Sequence, residues 1–391
     1  MSSTSTATCT AVVAHPPIEF GKPDLRHETI TLSRTQPGPN EVLVKMLAVG
    51  ICHTDIHVGG LPSPYMSYPV VLGHEGSGYV QAVGSSITSV AVGDPVLLSY
   101  TYCGKCDLCE HDCVTYCQNF APENIGCVDK VWRDREGKEV GGKFFGQSSY
   151  ASLSMVDEKS IVNVKGLIKD DEELKLFSPL GCGLMTGSGA VVNSCSAKPN
   201  DVVVVVGLGA VGLGAIMAAV LSGCRGVIAV DRVPSRLEVA KKLGATHVFD
   251  TSHLDIKAED YAEKLAGELK ALAPDGKINF ALDTTGVLSL INAQIKALSK
   301  RGKLIQIGIP LTNPSSIIPF DYQDFFGDTK RIETNYLGDC LAKEHVPKMI
   351  QWYREGKFAF DQFVKFYKAE DVARALDDMK KEVIKPVLVH S

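Results

Sequence analysis

Val202-Val203-Val204-Val205-Val206-Gly207-Leu208-Gly209-Ala210-Val211-Gly212 decides the architecture of this 391-residue chain. Five consecutive β-branched residues suit a strand buried on both faces, and the glycines behind them suit a tight turn running into a closely packed helix. In that arrangement Gly207 permits the turn, Gly209 lets backbone approach a pyrophosphate, and Gly212 lets helix lie against strand. The free N–H groups of the helix start at Ala210 and Val211 then face the anion. Asp231 stands nineteen residues past Gly212, at the end of the apolar run 227–230, where a carboxylate can accept from an adenine-ribose hydroxyl. Together these features predict a dinucleotide-binding sheet. A carboxylate repels a 2′-phosphate, so NAD is favoured over NADP, although Arg232 beside it could recruit that phosphate. The plainer alternative is an α/β layer that binds no nucleotide.

Residues 202–221 carry no charge and are long enough to span a bilayer, but the valine run followed by glycines at 207, 209, 212 and 214 argues for strand, turn and helix instead. Outward from this segment, the short apolar runs 227–230, 280–283 and 304–307 alternate with helical stretches at 235–243, capped by Gly244, and at 258–272. That alternation implies an α/β unit, a doubly wound parallel sheet covered by helices. Residues 29–164 read differently, as short β-rich runs such as 41–49 and 78–83 broken by Gly, Pro, Asn and Asp turns. The tail has two helical stretches within 344–379 around the aromatic segment 358–367, and 386–389 looks like a returning strand. The change of pattern near 185–200 divides the chain into a mostly-β domain over 1–185, a dinucleotide domain over 186–330, and a segment 331–391 that completes the first.

Composition narrows the function. With 45% hydrophobic and 22% charged residues the chain buries real cores, and a net charge of -5 offers no basic surplus for nucleic acid or anionic lipid. A small-molecule partner is expected. Residues 1–10 are rich in Ser and Thr without a basic start and apolar core, so no secretory signal is expected and the cytoplasm is the default compartment. There, twelve Cys read as metal ligands or reactive thiols before disulfides.

Six of the twelve crowd into 103–127. Cys103, Cys106, Cys109 and Cys117 are separated by two, two and seven residues, intervals that let thiolates converge on a tetrahedral zinc. Such a closed set has a structural role; the alternative is a loop with incidental reduced Cys. Cys113 and Cys127 are left over as ordinary thiols. Elsewhere, the segment Cys52-His53-Thr54-Asp55-Ile56-His57, the segment Gly73-His74-Glu75-Gly76, and Cys182 in Gly181-Cys182-Gly183 offer further metal ligands, but spacing alone does not join them.

These segments, the four-Cys lobe, the glycine motif and Asp231, all in one order over nearly the whole chain, resemble the zinc-dependent alcohol dehydrogenases of the medium-chain dehydrogenase/reductase superfamily. Within it, residues 144–150 (Phe-Phe-Gly-Gln-Ser-Ser-Tyr) look like the aryl (benzyl) alcohol branch. The resemblance implies a GroES-like catalytic domain paired with a Rossmann domain, and two zinc ions per chain. It implies that Cys52, His74 and Cys182 bind the catalytic zinc; two Cys and one His is the set known for alcohol dehydrogenases generally, so it comes with the resemblance. Thr54 would pass the substrate proton toward His57, and Asp55 and Glu75 would orient His74 and tune the metal. Thr186, Val211, Ile307 and Ile309 fall near the nicotinamide, Arg236 near the adenosine ribose, and Lys385 and His53 near the pyrophosphate, His53 replacing an Arg of some relatives. Without the resemblance, Val211, Ile307 and Ile309 would read as core. Tyr100 and Phe144 would wall the substrate pocket, which suits a flat aryl or allylic primary alcohol. The implied reaction is reversible NAD-linked oxidation to the aldehyde by a homodimer or homotetramer. Competing readings are an aldehyde reductase using the same site in reverse, an inactive binding protein on this fold, and a zinc-free quinone reductase of the superfamily.

Overall fold

The structure, a computed structural model, describes residues 6–127, 129–309, 317, 318 and 320–391, so half of the Ser- and Thr-rich opening segment lies outside the described residues. The chain forms two compact units: one from the residues up to Cys182 with Leu341–Ile350 and Phe363–Ser391, the other from Gly183–Cys340 with Gln351–Gln362.

The first unit is mostly β. A closed barrel joins the strands Ala7–Glu19, Lys22–Leu32, Asp129–Arg133, Glu139–Gly142 and Val70–Val71. A seven-stranded sheet follows the order Ile161–Asn163, Pro95–Leu98, Gly76–Val83, Glu41–Gly50, Lys385–Val389, Val364–Lys368, with Leu153–Asp157 also paired to Glu41–Gly50. The period-two pattern of Glu41–Gly50 explains its central place, because Val42, Val44 and Met46 alternate inward onto Val80, Val96, Leu98 and Val156. The returning strand Lys385–Val389 pairs antiparallel with the end of Glu41–Gly50, so residues far apart in sequence meet immediately before Cys52.

The second unit is a six-stranded, wholly parallel sheet in the order His247–Asp250, Gly226–Asp231, Val202–Val206, Phe280–Asp283, Lys303–Gln306, Arg331–Thr334. This is the doubly wound order with its switch point beside Val202–Val206, whose five residues are all buried. The helices Ala210–Leu221, Pro234–Lys242, Tyr261–Leu272 and Leu288–Ala297 supply the first four of its five crossovers, and Tyr322–Gly327 lies in the fifth. Gly207 sits at φ 89°, in the left-handed region. A Cβ at Gly212 would lie 1.9 Å from the Gly207 carbonyl oxygen, so the helix meets the turn with no room for a side chain.

The pattern change near 185–200 and the structural division differ in detail. The chain leaves the first unit at Cys182 and returns at Leu341, and Arg331–Thr334, in the sequence reading part of the closing segment, is the sixth strand of the parallel sheet. Residues 351–362 also belong to the second unit, where Phe358 and Phe360 are fully buried beside Trp352 and Tyr353. Among the described residues no helix is long and apolar enough to cross a membrane.

Candidate active site and metal centres

The strand Glu41–Gly50 ends against Cys52, which caps the helix His53–Gly59. His74 follows the short strand Val70–Val71, and Cys182 follows the tight turn Ser178–Gly181. The fold brings one ligand atom each from Cys52, His74, Glu75 and Cys182 within 4.8 Å of one another, all in the first unit. His74 is 1% exposed, and its Nε2 is buried with no hydrogen-bond partner among the described residues. Its Nδ1 meets Asp55 Oδ1 at 2.9 Å, so Nδ1 is the donor and Nε2 is the nitrogen that carries the lone pair in the neutral ring. Asp55 is itself held, accepting from the backbone N–H of Gly73 (3.1 Å) and of Cys52 (2.9 Å), so one buried carboxylate ties two candidate ligands together.

The two thiols are coupled by a hydrogen bond. Hydrogen bonding from Cys182 holds the Cys52 thiol well below its ordinary pKa against the cost of burial, and the same bond with burial holds Cys182 high. Burial disfavours a charged His74, but Asp55 and Cys52 outweigh it and raise the imidazole well above its usual value. Two sulfurs, an orphaned imidazole nitrogen and a low dielectric suit a soft divalent cation such as zinc.

Cys103, Cys106, Cys109 and Cys117 also converge, with their sulfurs within 4.8 Å of one another. The one-turn helix Asp107–Glu110 carries Cys109 and is capped by Cys106. The Cys103 and Cys109 sulfurs are 4.0 Å apart, close to the roughly 3.8 Å edge of a tetrahedron with Zn–S of about 2.3 Å. Backbone N–H of Lys105 and the side chain of Asn119 hold Cys103 down to about 6, whereas burial raises Cys109 to about 12. Cys113 and Cys127 lie outside this set, and burial raises Cys127 to about 12.

In the second unit the glycine turn runs into the helix Ala210–Leu221 with Gly209 as its cap and Val211 half-buried. Asp231, 8% exposed, accepts from the backbone N–H of Leu208 (2.7 Å) and of Val233 (2.9 Å), which aims its carboxylate across the turn. Arg232 is exposed; Arg236 is half-buried, and its Nε has no partner among the described residues. Thr186 is buried on the helix Gly183–Gly189. Ile307 is half-buried and Ile309 is 56% exposed, so neither they nor Val211 are closed core.

Residues 38–166 match the alcohol dehydrogenase GroES-like domain family, and residues 210–355 match the zinc-binding dehydrogenase family. The chain is 35% identical over 361 residues to geraniol dehydrogenase of Castellaniella defragrans, covering 91% of this chain and 92% of that one. The chain belongs to the zinc-containing alcohol dehydrogenases of the medium-chain dehydrogenase/reductase superfamily. Among solved structures, this alcohol dehydrogenase is similar to benzyl alcohol dehydrogenase from Acinetobacter calcoaceticus, with a TM-score of 0.85, 36% identity and coverage of 98% and 100% of the two chains. An alcohol dehydrogenase zinc-binding domain protein from Burkholderia ambifaria is similar at a TM-score of 0.88, 34% identity and coverage of 98% and 99%.

In this alcohol dehydrogenase Lys385 and Glu75 have partners that the sequence reading did not give them. Lys385, assigned there to a pyrophosphate, is 2% exposed and donates to both Glu75 oxygens (2.9 and 2.8 Å) and to the Ile51 carbonyl (3.0 Å). Its three donors are all used inside the first unit. Burial pushes the Glu75 carboxyl up while Lys385 pulls it back, and Glu75 raises Lys385 in turn. Of the two carboxylates read as orienting His74, Asp55 bonds it and Glu75 bonds Lys385. Phe145, quoted in the 144–150 segment but given no site role there, stacks on His74 at 4.5 Å and 24°, whereas Phe144 meets it edge-on at 5.4 Å. Tyr100 is 2% exposed and lines a cavity of about 200 Å³ with Tyr102, Lys159 and Leu341. Thr54 Oγ1 is 3.7 Å from Cys52 Sγ; His57 is half-buried with a pKa lowered by that burial, and His53 is exposed.

Proposed function

We propose that this dehydrogenase oxidises primary aryl or allylic alcohols reversibly to aldehydes, using NAD, a catalytic zinc held by Cys52, His74 and Cys182, and a structural zinc held by Cys103, Cys106, Cys109 and Cys117. One observation carries the reading: the His74 Nε2 is buried without a hydrogen-bond partner among the described residues and converges with the sulfurs of Cys52 and Cys182. Zinc bound there would polarise an alcohol oxygen and draw its proton's pKa toward neutrality, and bound NAD would accept the hydride. The chain's own residues do the rest. Cys52 and Cys182, as thiolates, offset the ionic charge, and Asp55 fixes the His74 tautomer. Thr54, beside Cys52, takes the hydroxyl proton toward His57, whose lowered pKa keeps it a neutral acceptor at physiological pH. Asp231 accepts from the adenine-ribose hydroxyls and disfavours a 2′-phosphate.

The stacked Phe145 and edge-on Phe144 supply an apolar aromatic wall at His74, suited to a flat π-system. Relatives named for geraniol and for benzyl alcohol support the allylic or aryl class. We place the enzyme in the cytoplasm, as a homodimer or homotetramer; its twelve free cysteines fit a reducing compartment. The test is the initial rate of NADH formation with benzyl, cinnamyl, hexyl and secondary alcohols, repeated with NADP and with a zinc chelator. Fast, chelator-sensitive, NAD-linked oxidation of the aromatic and allylic members is expected. Preference for secondary or unbranched aliphatic alcohols by kcat/KM overturns the substrate class, and indifference to the chelator overturns the metal.

A further inference from the structure

Gln147 is 0% exposed and makes every hydrogen bond its carboxamide can form. Its Nε2 donates to the His74 carbonyl (2.9 Å) and the Ser99 carbonyl (2.5 Å); its Oε1 accepts from the Gly76 N–H (3.2 Å) and from the Ser149 hydroxyl. The amide's orientation follows from its neighbours, because one end faces only carbonyl oxygens and the other faces an N–H. Ser99 in turn donates through Oγ to the Gly181 carbonyl at 2.6 Å, the residue before Cys182. One buried amide thus grips the backbone on both sides of Glu75, starting at His74, and reaches through Ser99 to the turn that carries Cys182.

The grip is itself built. Residues 143–148 run through positive φ at Lys143, Phe145, Gly146 and Ser148, conformations that need outside support. Ser148 Oγ donates to the Val71 carbonyl (2.6 Å), Ser160 Oγ donates to the Phe145 carbonyl (2.9 Å), and Ser154 Oγ donates to the Gln147 carbonyl. The same turn therefore delivers the Phe145 ring to one side of His74 and the Gln147 amide to its backbone.

We infer that Gln147 is a positioning residue that sets the separation and orientation of His74 and Cys182, and through them the geometry and retention of the metal. The inference rests on the metal reading proposed above. The test uses the full-length protein with cobalt(II) in place of zinc, which reports ligand geometry in its visible spectrum. Gln147→Met removes all four bonds while keeping length, and Ser99→Ala removes only the link to Gly181. Both variants are expected to shift the visible bands of the Cys52–His74–Cys182 centre and to release its cobalt to a chelator about 10–100-fold faster, a typical cost of losing an outer support. kcat should fall while KM for NAD stays unchanged, and the four-Cys centre should keep its metal as an internal control. If Gln147→Met fails to fold, Ser99→Ala decides. Wild-type spectra and release rates in folded variants overturn the positioning role. A wild-type protein that takes up only one cobalt, with no band lost in Cys182→Ser, overturns the metal reading itself.

Discussion

Replacing Lys385 by methionine should unsettle the first unit more than any surface change, and the size follows from the burial of its partner. Lys385 and Glu75 have side chains 3% and 0% exposed, and the ammonium meets both carboxylate oxygens within 2.9 Å. Methionine fills the volume and removes the charge, leaving a buried carboxylate whose pair is broken, a change that costs about 3–5 kcal/mol. At about 2–4 °C per kcal/mol for a unit of roughly 150–250 residues, the melting temperature should fall by about 6–20 °C. The deficit should depend on pH. Without its ammonium the Glu75 carboxyl is raised still further in the folded state, and such a group contributes stability only below its unfolded pKa and loses it as pH rises. The loss should therefore be smaller near pH 5 than near pH 8, and adding Glu75→Gln should recover much of it. The two tryptophans make a clean assay, since Trp132 is buried in the first unit and Trp352 belongs to the second. In a Trp352→Phe background, Trp132 fluorescence follows the first unit through urea or heat. An unchanged midpoint with a raised dissociation constant for NAD would refute the argument and return Lys385 to the pyrophosphate.

Asp55→Asn offers one oxygen to three donors, so at least one of His74, Gly73 and Cys52 loses its acceptor; catalytic-site zinc affinity should drop about 10–100-fold, measured by competition with a chromogenic chelator. Cys182→Ser should abolish most turnover and remove one zinc per chain while the protein stays folded, whereas Cys109→Ser should chiefly lower stability; elemental analysis with thermal melts separates the two. Burial holds His345 and His390 down to about 4, below the unfolded value of about 6.5, so both contribute stability above pH 6.5 that is lost as pH falls toward 4. Each should remove about 2 kcal/mol by pH 5, and Gln at both positions should flatten the acid limb of a stability profile.

The parallel sheet was legible because its central strand is an uninterrupted valine run, and the four-Cys lobe because its ligands are close in sequence. The edge strand Arg331–Thr334 escaped notice because it reads Arg-Ile-Glu-Thr and is mostly exposed, with no apolar run to find. His247–Asp250 at the opposite edge is half-buried to exposed and equally quiet. The candidate ligand set around His74 came from resemblance, since Cys52 and Cys182 are 130 residues apart and only the fold joins them. Lys385 carried no local sign that its partner was Glu75, 310 residues earlier. Gln147 gave no local sign of its role; only the structure shows that Gln147, Ser148 and Ser149 are all fully buried, so their bonds had to be found inside.

The return of Lys385–Val389 to the side of Glu41–Gly50 also sets a timetable for biosynthesis. A ribosome adding about 5–20 residues per second needs roughly 15–60 s to travel the 310 residues from Glu75 to Lys385. The second unit's parallel sheet is made entirely within that interval, its last strand ending at Thr334, while the Glu75 carboxylate has no counter-ion and Glu41–Gly50 lacks its neighbour throughout. The barrel strands are all made by Gly142, so it is the seven-stranded sheet beside Cys52 that stays unfinished until the strand Lys385–Val389 emerges.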